Sequence, residues 1–229
     1  MKILALDTSM GACSAAVLTA DGAKRGLFAR EAPMAKGHAE ALMPMVAEVL
    51  AKAGIAAREI GLIAATVGPG SFTGVRIAIA AARGLALATG AKLYGTDSLT
   101  VMARAALRGG VAPGGPFAVA VDARRGMIYL GLYDAMGERR DGPLLVSPDE
   151  AARRIPRDLG LAVGSGALLL AEAVARQGRQ VEGALPELQP SAALLAEIAL
   201  EARETVTTLR PLYLRPPDAR PQEGGVARR

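Results

Sequence analysis

The chain has 229 residues, 51% hydrophobic and 21% charged, which excludes global disorder and supplies the core of one large domain or two small ones. Aromatic residues make up 3%, tryptophan is absent, and the net charge of +5 comes without a compact Lys/Arg cluster among aromatics; contact with RNA is compatible with this balance but not indicated by it. Cys13 is the single cysteine, which rules out an internal disulfide and a cysteine-based zinc site.

In chain order, "ILALD" at residues 3–7 reads as a strand ending in Asp7, not as a signal peptide. A glycine turn at Gly11 leads to a second strand that closes at Gly22, with Cys13 as a small packing residue. Residues 27–31 suit a third strand. Ala39, Leu42, Met43, Val46, Val49, Leu50 and Ala53 recur at helical spacing, with Gly54 as a stop. Pro44 inside that pattern predicts a kink or a late start. "ATVGPGS" at 65–71 reads as a strand, a tight turn and the start of a helix capped by Ser71 or Thr73. From Val75 to Ala88 only Arg76, Arg83 and Gly84 are not apolar. This is the nearest approach to a membrane span, but the two arginines argue against one, and a soluble cytoplasmic chain is expected.

"GGVAPGGP" at 109–116 reads as a linker. Beyond it the first pattern returns. "AVAVDARRGMIYLGLYDAMG" at 118–137 sets Asp122 on Asp7, Gly126 on Gly11 and Gly137 on Gly22 at one constant offset. "SPDE" at 147–150 predicts a helix start with Ser147 as cap, Pro148 in first position and Glu150 closing a box. "LAVGSGA" at 161–167 echoes the glycine turn of the first half, and 191–203 is an amphipathic helix with Ser191 as cap. Two copies of one order imply an α/β fold of two lobes with mixed sheets flanked by helices. The expected domains are 1–108, carrying partner-binding helices, and 116–216, whose last helix at 191–204 packs back on the first lobe. Residues 217–229 are expected to be a disordered tail.

Familiar chemistries fail on their own terms. A two-histidine metal helix needs a second histidine four residues on, and four beyond His38, the only histidine, stands Leu42. A nucleophile elbow needs glycines two before and two after the serine. Around Ser71 these are Pro69 and Thr73, so no peptidase is expected. A P-loop needs a lysine, and residues 66–90 contain none.

The helix after the glycine turn is apolar nearly all round, and such a helix is covered all round. Either residues 36–53 cover it within the chain, or both helices present a patch to another subunit. The second reading is favoured, with Leu42, Val46, Gly70, Phe72, Arg76, Ile79, Ala82 and Arg83 as the interface. Gly68, Pro69 and Gly70 then set the helix direction, and Arg76 bridges to a partner carboxylate.

A duplicated hairpin with an aspartate ending each first strand resembles the actin-like ATPase superfamily. Within it, "ILALDTS", "GPGSFTGVRIAIAAARGLA", "VDARRGMIYLGLY" and "PLYLRP" resemble the TsaB (YeaZ) family. The resemblance implies a two-lobed actin-like fold and a subunit that is not itself the catalyst. It implies docking, through a bundle built from this helix pair, to the catalytic subunit TsaD or to a second copy of the chain. With the ATPase TsaE, that assembly places threonylcarbamoyl on N6 of adenosine 37 in tRNAs reading codons that begin with A; tRNA is reached through the complex, and no membrane is involved.

In actin-like enzymes the two hairpins also hold nucleotide, which makes Asp7, Ser9 and Asp122 weak nucleotide candidates. Arg124 stands where kinase-like relatives carry glycine, so the resemblance implies a degenerate site without a cofactor of its own. ATP or ADP shared across the junction with TsaD stays open. The rival reading is a stand-alone actin-like ATPase or phosphotransferase.

Overall fold

The computed structural model describes residues 1–111, 114–202 and 204–215. Parts of the linker at 109–116 and of the segment 191–204, and the tail expected at 217–229, lie outside the described residues.

The first half runs β1 (Lys2–Asp7), β2 (Ala12–Asp21), β3 (Lys24–Pro33), α1 (His38–Ala53), β4 (Leu62–Thr66), α2 (Phe72–Thr89), β5 (Lys92–Thr96) and α3 (Ser98–Arg108). The second runs β6 (Phe117–Asp122), β7 (Ile128–Tyr133), β8 (Arg139–Val146), α4 (Pro148–Arg154), β9 (Leu161–Val163), α5 (Ala167–Ala175), β10 (Glu182–Ala184) and α6 (Ala192–Glu201). Each half makes a five-stranded mixed sheet, β3-β2-β1-β4-β5 and β8-β7-β6-β9-β10. In both, three antiparallel strands are extended by two parallel ones. The two halves thus share one topology, the duplicated actin-like fold.

Five layers result. α1 and α2 cover the outer face of the first sheet, α4 and α5 that of the second, and α3 and α6 lie between the sheets. β1 shows why its residues are apolar without alternation. Leu4 and Leu6 point to α1 and α2, whereas Ile3 and Ala5 point to α6, so both faces are buried. The middle helices are exchanged between halves. Leu99, Met102 and Ala106 of α3 pack on Phe117, Val119 and Tyr133 of the second sheet, and Ala192, Leu195 and Ala199 of α6 pack on the first.

Several local expectations are corrected. Pro44 neither delays nor interrupts α1, which begins at His38; proline is on the exposed side, where the carbonyl it leaves unpaired meets water. Ser191 makes no side-chain cap on α6. Ser14 of β2 accepts from Ala192 N instead, at 3.0 Å, because the helix start abuts the first sheet. Ser147 caps α4 as expected, but Glu150 does not reach back; it pairs with Arg154 one turn on. Ser71 supplies the cap of α2, accepting from Gly74 N at 3.3 Å. Among the described helices α2 alone has the length and apolar character to cross a bilayer, yet Val75, Ala78, Ile79 and Ala82 are buried against the lobe.

Candidate functional site

The glycine loop before α2 is clamped onto the end of β1. Ser71 N donates to Ser9 O at 2.8 Å, Thr8 Oγ1 donates to Gly74 O at 2.6 Å, and Ser98 N donates to Gly68 O at 2.8 Å. Two glycines permit this approach. A Cβ on Gly70 would lie 2.2 Å from Ser9 O, and one on Gly74 would lie 2.0 Å from Thr8 O. The loop is thus packed backbone against backbone, and the Ser71 amide is already taken by Ser9 O. The second lobe repeats the device: Gly166 N donates to Ala120 O at 2.9 Å, and a Cβ on Gly166 would meet Asp122 N at 3.0 Å.

Asp7, at the end of β1, is fully buried. It accepts from Ser9 Oγ at 2.8 Å, from Ser9 N and from Thr66 Oγ1, while Ser98 Oγ donates to Ser9 Oγ. Asp7 and Ser9 therefore offer no atom to a nucleotide; of the three nucleotide candidates only Asp122 keeps solvent access. Burial pushes the Asp7 carboxyl from 3.8 up to about 6, against the hydrogen bonds that lower it. The native state thus holds this proton to higher pH than the unfolded chain. The stability it contributes is fully present below pH 3.8 and is lost as pH rises through about 6. Denaturant titration is expected to show the wild type losing about 3 kcal/mol relative to Asp7→Asn across that window. Parallel pH profiles for the two proteins would contradict it.

Asp122 accepts from Arg124 N at 2.8 Å and from Arg124 Nη1 at 3.3 Å. The β6–β7 turn carries three left-handed residues in succession, Arg124, Arg125 and Gly126, at φ of 62°, 57° and 71°. His38 Nε2 lies 3.1 Å from Met10 O and ties the start of α1 to the β1–β2 turn. The Cys13 thiol is buried in β2, which pushes it up to about 11.

On the outer surface, the structure corrects half of the expected docking residues. Leu42, Val46, Ile79 and Ala82 are 1%, 2%, 4% and 0% exposed. They face the core between the helices and the first sheet and are closed to a partner. Phe72, Arg76 and Arg83 do reach the surface, with Gly70 half-buried at the loop. They share an open stripe of α2 with Ala80, Gly84 and Leu87, the last 89% exposed. Sequence reasoning missed Ala80 and Leu87, although Arg76 and Arg83 already marked the solvent side and positions 80 and 87 continue their row. Gly84 has open space where a Cβ would stand. Among the described residues no carboxylate pairs with Arg76 or Arg83. Arg76 lies over the Phe72 ring at 3.7 Å, and its Nε donates to Tyr213 Oη at 2.5 Å.

Comparison with known proteins bears on what this surface serves. The family model for "TsaD: tRNA N6-adenosine threonylcarbamoyltransferase" matches residues 31–206. The chain is 38% identical over 133 residues to the tRNA threonylcarbamoyladenosine biosynthesis protein TsaB of Escherichia coli, a match spanning 58% of this chain and 55% of that protein. It is 29% identical to TsaB of Haemophilus influenzae over 94% of each chain. The structure of YeaZ from Pseudomonas aeruginosa superposes with a TM-score of 0.78 at 32% identity, covering 93% of this chain and 99% of that one.

Proposed function

The chain belongs to the TsaB/YeaZ family of the actin-like ATPase superfamily, whose curated members are named for tRNA threonylcarbamoyladenosine synthesis, and from that membership we propose that it is a non-catalytic docking subunit for that modification. Its partner is a TsaD-type catalytic subunit, with a TsaE-type ATPase joining the assembly and tRNA reached through the complex, in the cytoplasm. The observation that carries the reading is the outward stripe of α2. Phe72, Ala80 and Leu87 leave apolar surface in water, interleaved with Arg76 and Arg83, which pair with no carboxylate among the described residues. Small side chains at Ala80 and Gly84 allow a partner helix to approach closely, and docking buries on the order of 800 Å² per partner. Carboxylates on the partner face Arg76 and Arg83. In the chain alone, a second copy covers the same stripe.

Docking acts by holding the catalytic subunit in its competent arrangement. The sealing of Asp7 supports a role without phosphoryl transfer, since an actin-like phosphotransferase needs that carboxylate open to metal or water. The test is reconstitution of threonylcarbamoyladenosine on a tRNA transcript with purified TsaD- and TsaE-type subunits. Product formation is expected to fall at least tenfold when this chain is left out. Equal product with and without it would overturn the reading, and ATP turnover by the isolated chain would restore the phosphotransferase.

A further inference from the structure

After α6 the chain returns across the first lobe as a strap. Val206 N donates to Leu93 O at 2.8 Å and sets the strap antiparallel to β5, the edge strand of the first sheet. Leu209 is 2% exposed and sinks into the core of that lobe, where a Cβ on Gly95 would lie 2.7 Å from its Cδ2. Leu212 N donates to Val67 O at 2.7 Å, just beyond β4. Three residues on, Arg215 Nη2 donates to Ala123 O at 2.9 Å in the β6–β7 turn of the second lobe. Tyr213 falls between these two fastenings, so its backbone is held although the residue is 45% exposed.

The Tyr213 side chain completes a stack at the start of α2. Its ring and that of Phe72 lie 5.4 Å apart between centroids, inclined at 27°. The Arg76 guanidinium sits 3.7 Å from the Phe72 centroid and 5.5 Å from that of Tyr213, and Arg76 Nε donates to Tyr213 Oη at 2.5 Å. An exposed arginine ordinarily samples many rotamers, and ordering it on binding weakens association. Arg76 is already ordered in the free chain, by a ring face and a hydroxyl. With Nε taken, the edge formed by Nη1 and Nη2 is the one left for a bidentate carboxylate. Among the described residues neither of those atoms has a partner. A phenylalanine at 213 would stack on Phe72 as well; what the hydroxyl adds is its hold on Arg76.

We propose that Tyr213 is a positioning residue of the docking surface, presented by the C-terminal strap, which fixes Arg76 in the orientation that meets a carboxylate of the TsaD-type subunit. The proposal rests on the docking reading above and adds to it a residue that lies 137 positions from Arg76 in sequence. Arg83, on the same stripe, has no such holder among the described residues and supplies the internal control.

The test is a double-mutant cycle on the full chain, with affinity for the purified TsaD-type subunit read by titration calorimetry. Tyr213→Phe is expected to weaken association about fivefold, with the melting temperature of the free chain unchanged. In an Arg76→Ala background the same change is expected to shift affinity by less than about twofold, because the side chain it positions is gone. In an Arg83→Ala background the full loss is expected to remain. Equal losses in the wild-type and Arg76→Ala backgrounds would overturn the proposal, since the hydroxyl would then act without Arg76. Wild-type affinity in Tyr213→Phe would overturn it too, and would leave the docking reading standing. No association by the wild type would overturn the docking reading itself and the role of Tyr213 with it.

Discussion

Gly74→Ala is expected to destabilise the first lobe by on the order of 3 kcal/mol or more. Alanine is ordinarily the better helix residue by about 1 kcal/mol, so propensity alone predicts the opposite sign. Geometry decides the outcome. The added Cβ would stand 2.0 Å from Thr8 O, a backbone atom directly after the last residue of β1, and not the end of a flexible side chain that could yield. α2 must then lift from the strand end, breaking the bond from Thr8 Oγ1 to Gly74 O and opening the pocket that seals Asp7. Gly84→Ala is the control. Its Cβ meets nothing within 4 Å, so the same substitution ten residues along is expected to stabilise the helix slightly. Denaturant unfolding of both variants checks the pair; equal stabilities would refute the close approach.

The second large effect separates two neighbours on α2. Ile79→Glu places a carboxylate in the core against β1 and β4 without a partner, and is expected to cost about 4 kcal/mol and abolish cooperative unfolding. Ala80→Glu, one residue on, points into solvent and is expected to leave stability within about 0.5 kcal/mol of wild type. Yet it sets a charged side chain in the centre of the proposed docking stripe, beside the open space at Gly84. A partner already carrying carboxylates opposite Arg76 and Arg83 would be repelled as well as held off. Ala80→Glu should thus fold normally and fail in reconstituted tRNA modification, whereas Ile79→Glu fails in both. Normal activity in folded Ala80→Glu would remove α2 from the interface.

The duplication was legible because it leaves fixed marks. Asp7 and Asp122 end the first strand of each sheet, and the glycine turns recur in the same order; the two topologies match element for element. The inward face of α2 was not legible. A helix apolar almost all round carries no periodicity to say which side meets the sheet, so nothing in the pattern marks Leu42, Val46, Ile79 and Ala82 as the buried side. The arginines were the better guide, because a charge at Arg76 and another at Arg83 fix the wet side and carry it to Ala80 and Leu87. The glycine loop misled differently. Its pattern suits phosphate, but the same freedom from a Cβ serves backbone packed on backbone, and only the Ser9 and Thr8 carbonyls beside Gly70 and Gly74 distinguish the two uses. Contacts such as Ser14 with Ala192 or Phe72 with Tyr213 join residues more than a hundred positions apart and have no local signature.

Sedimentation velocity of the chain mixed with its TsaD-type subunit tests the docking stripe most directly. Wild type should travel with the subunit as one faster species, and Ala80→Glu, folded to the same melting point, should travel alone. Co-sedimentation of Ala80→Glu at wild-type strength would contradict the account.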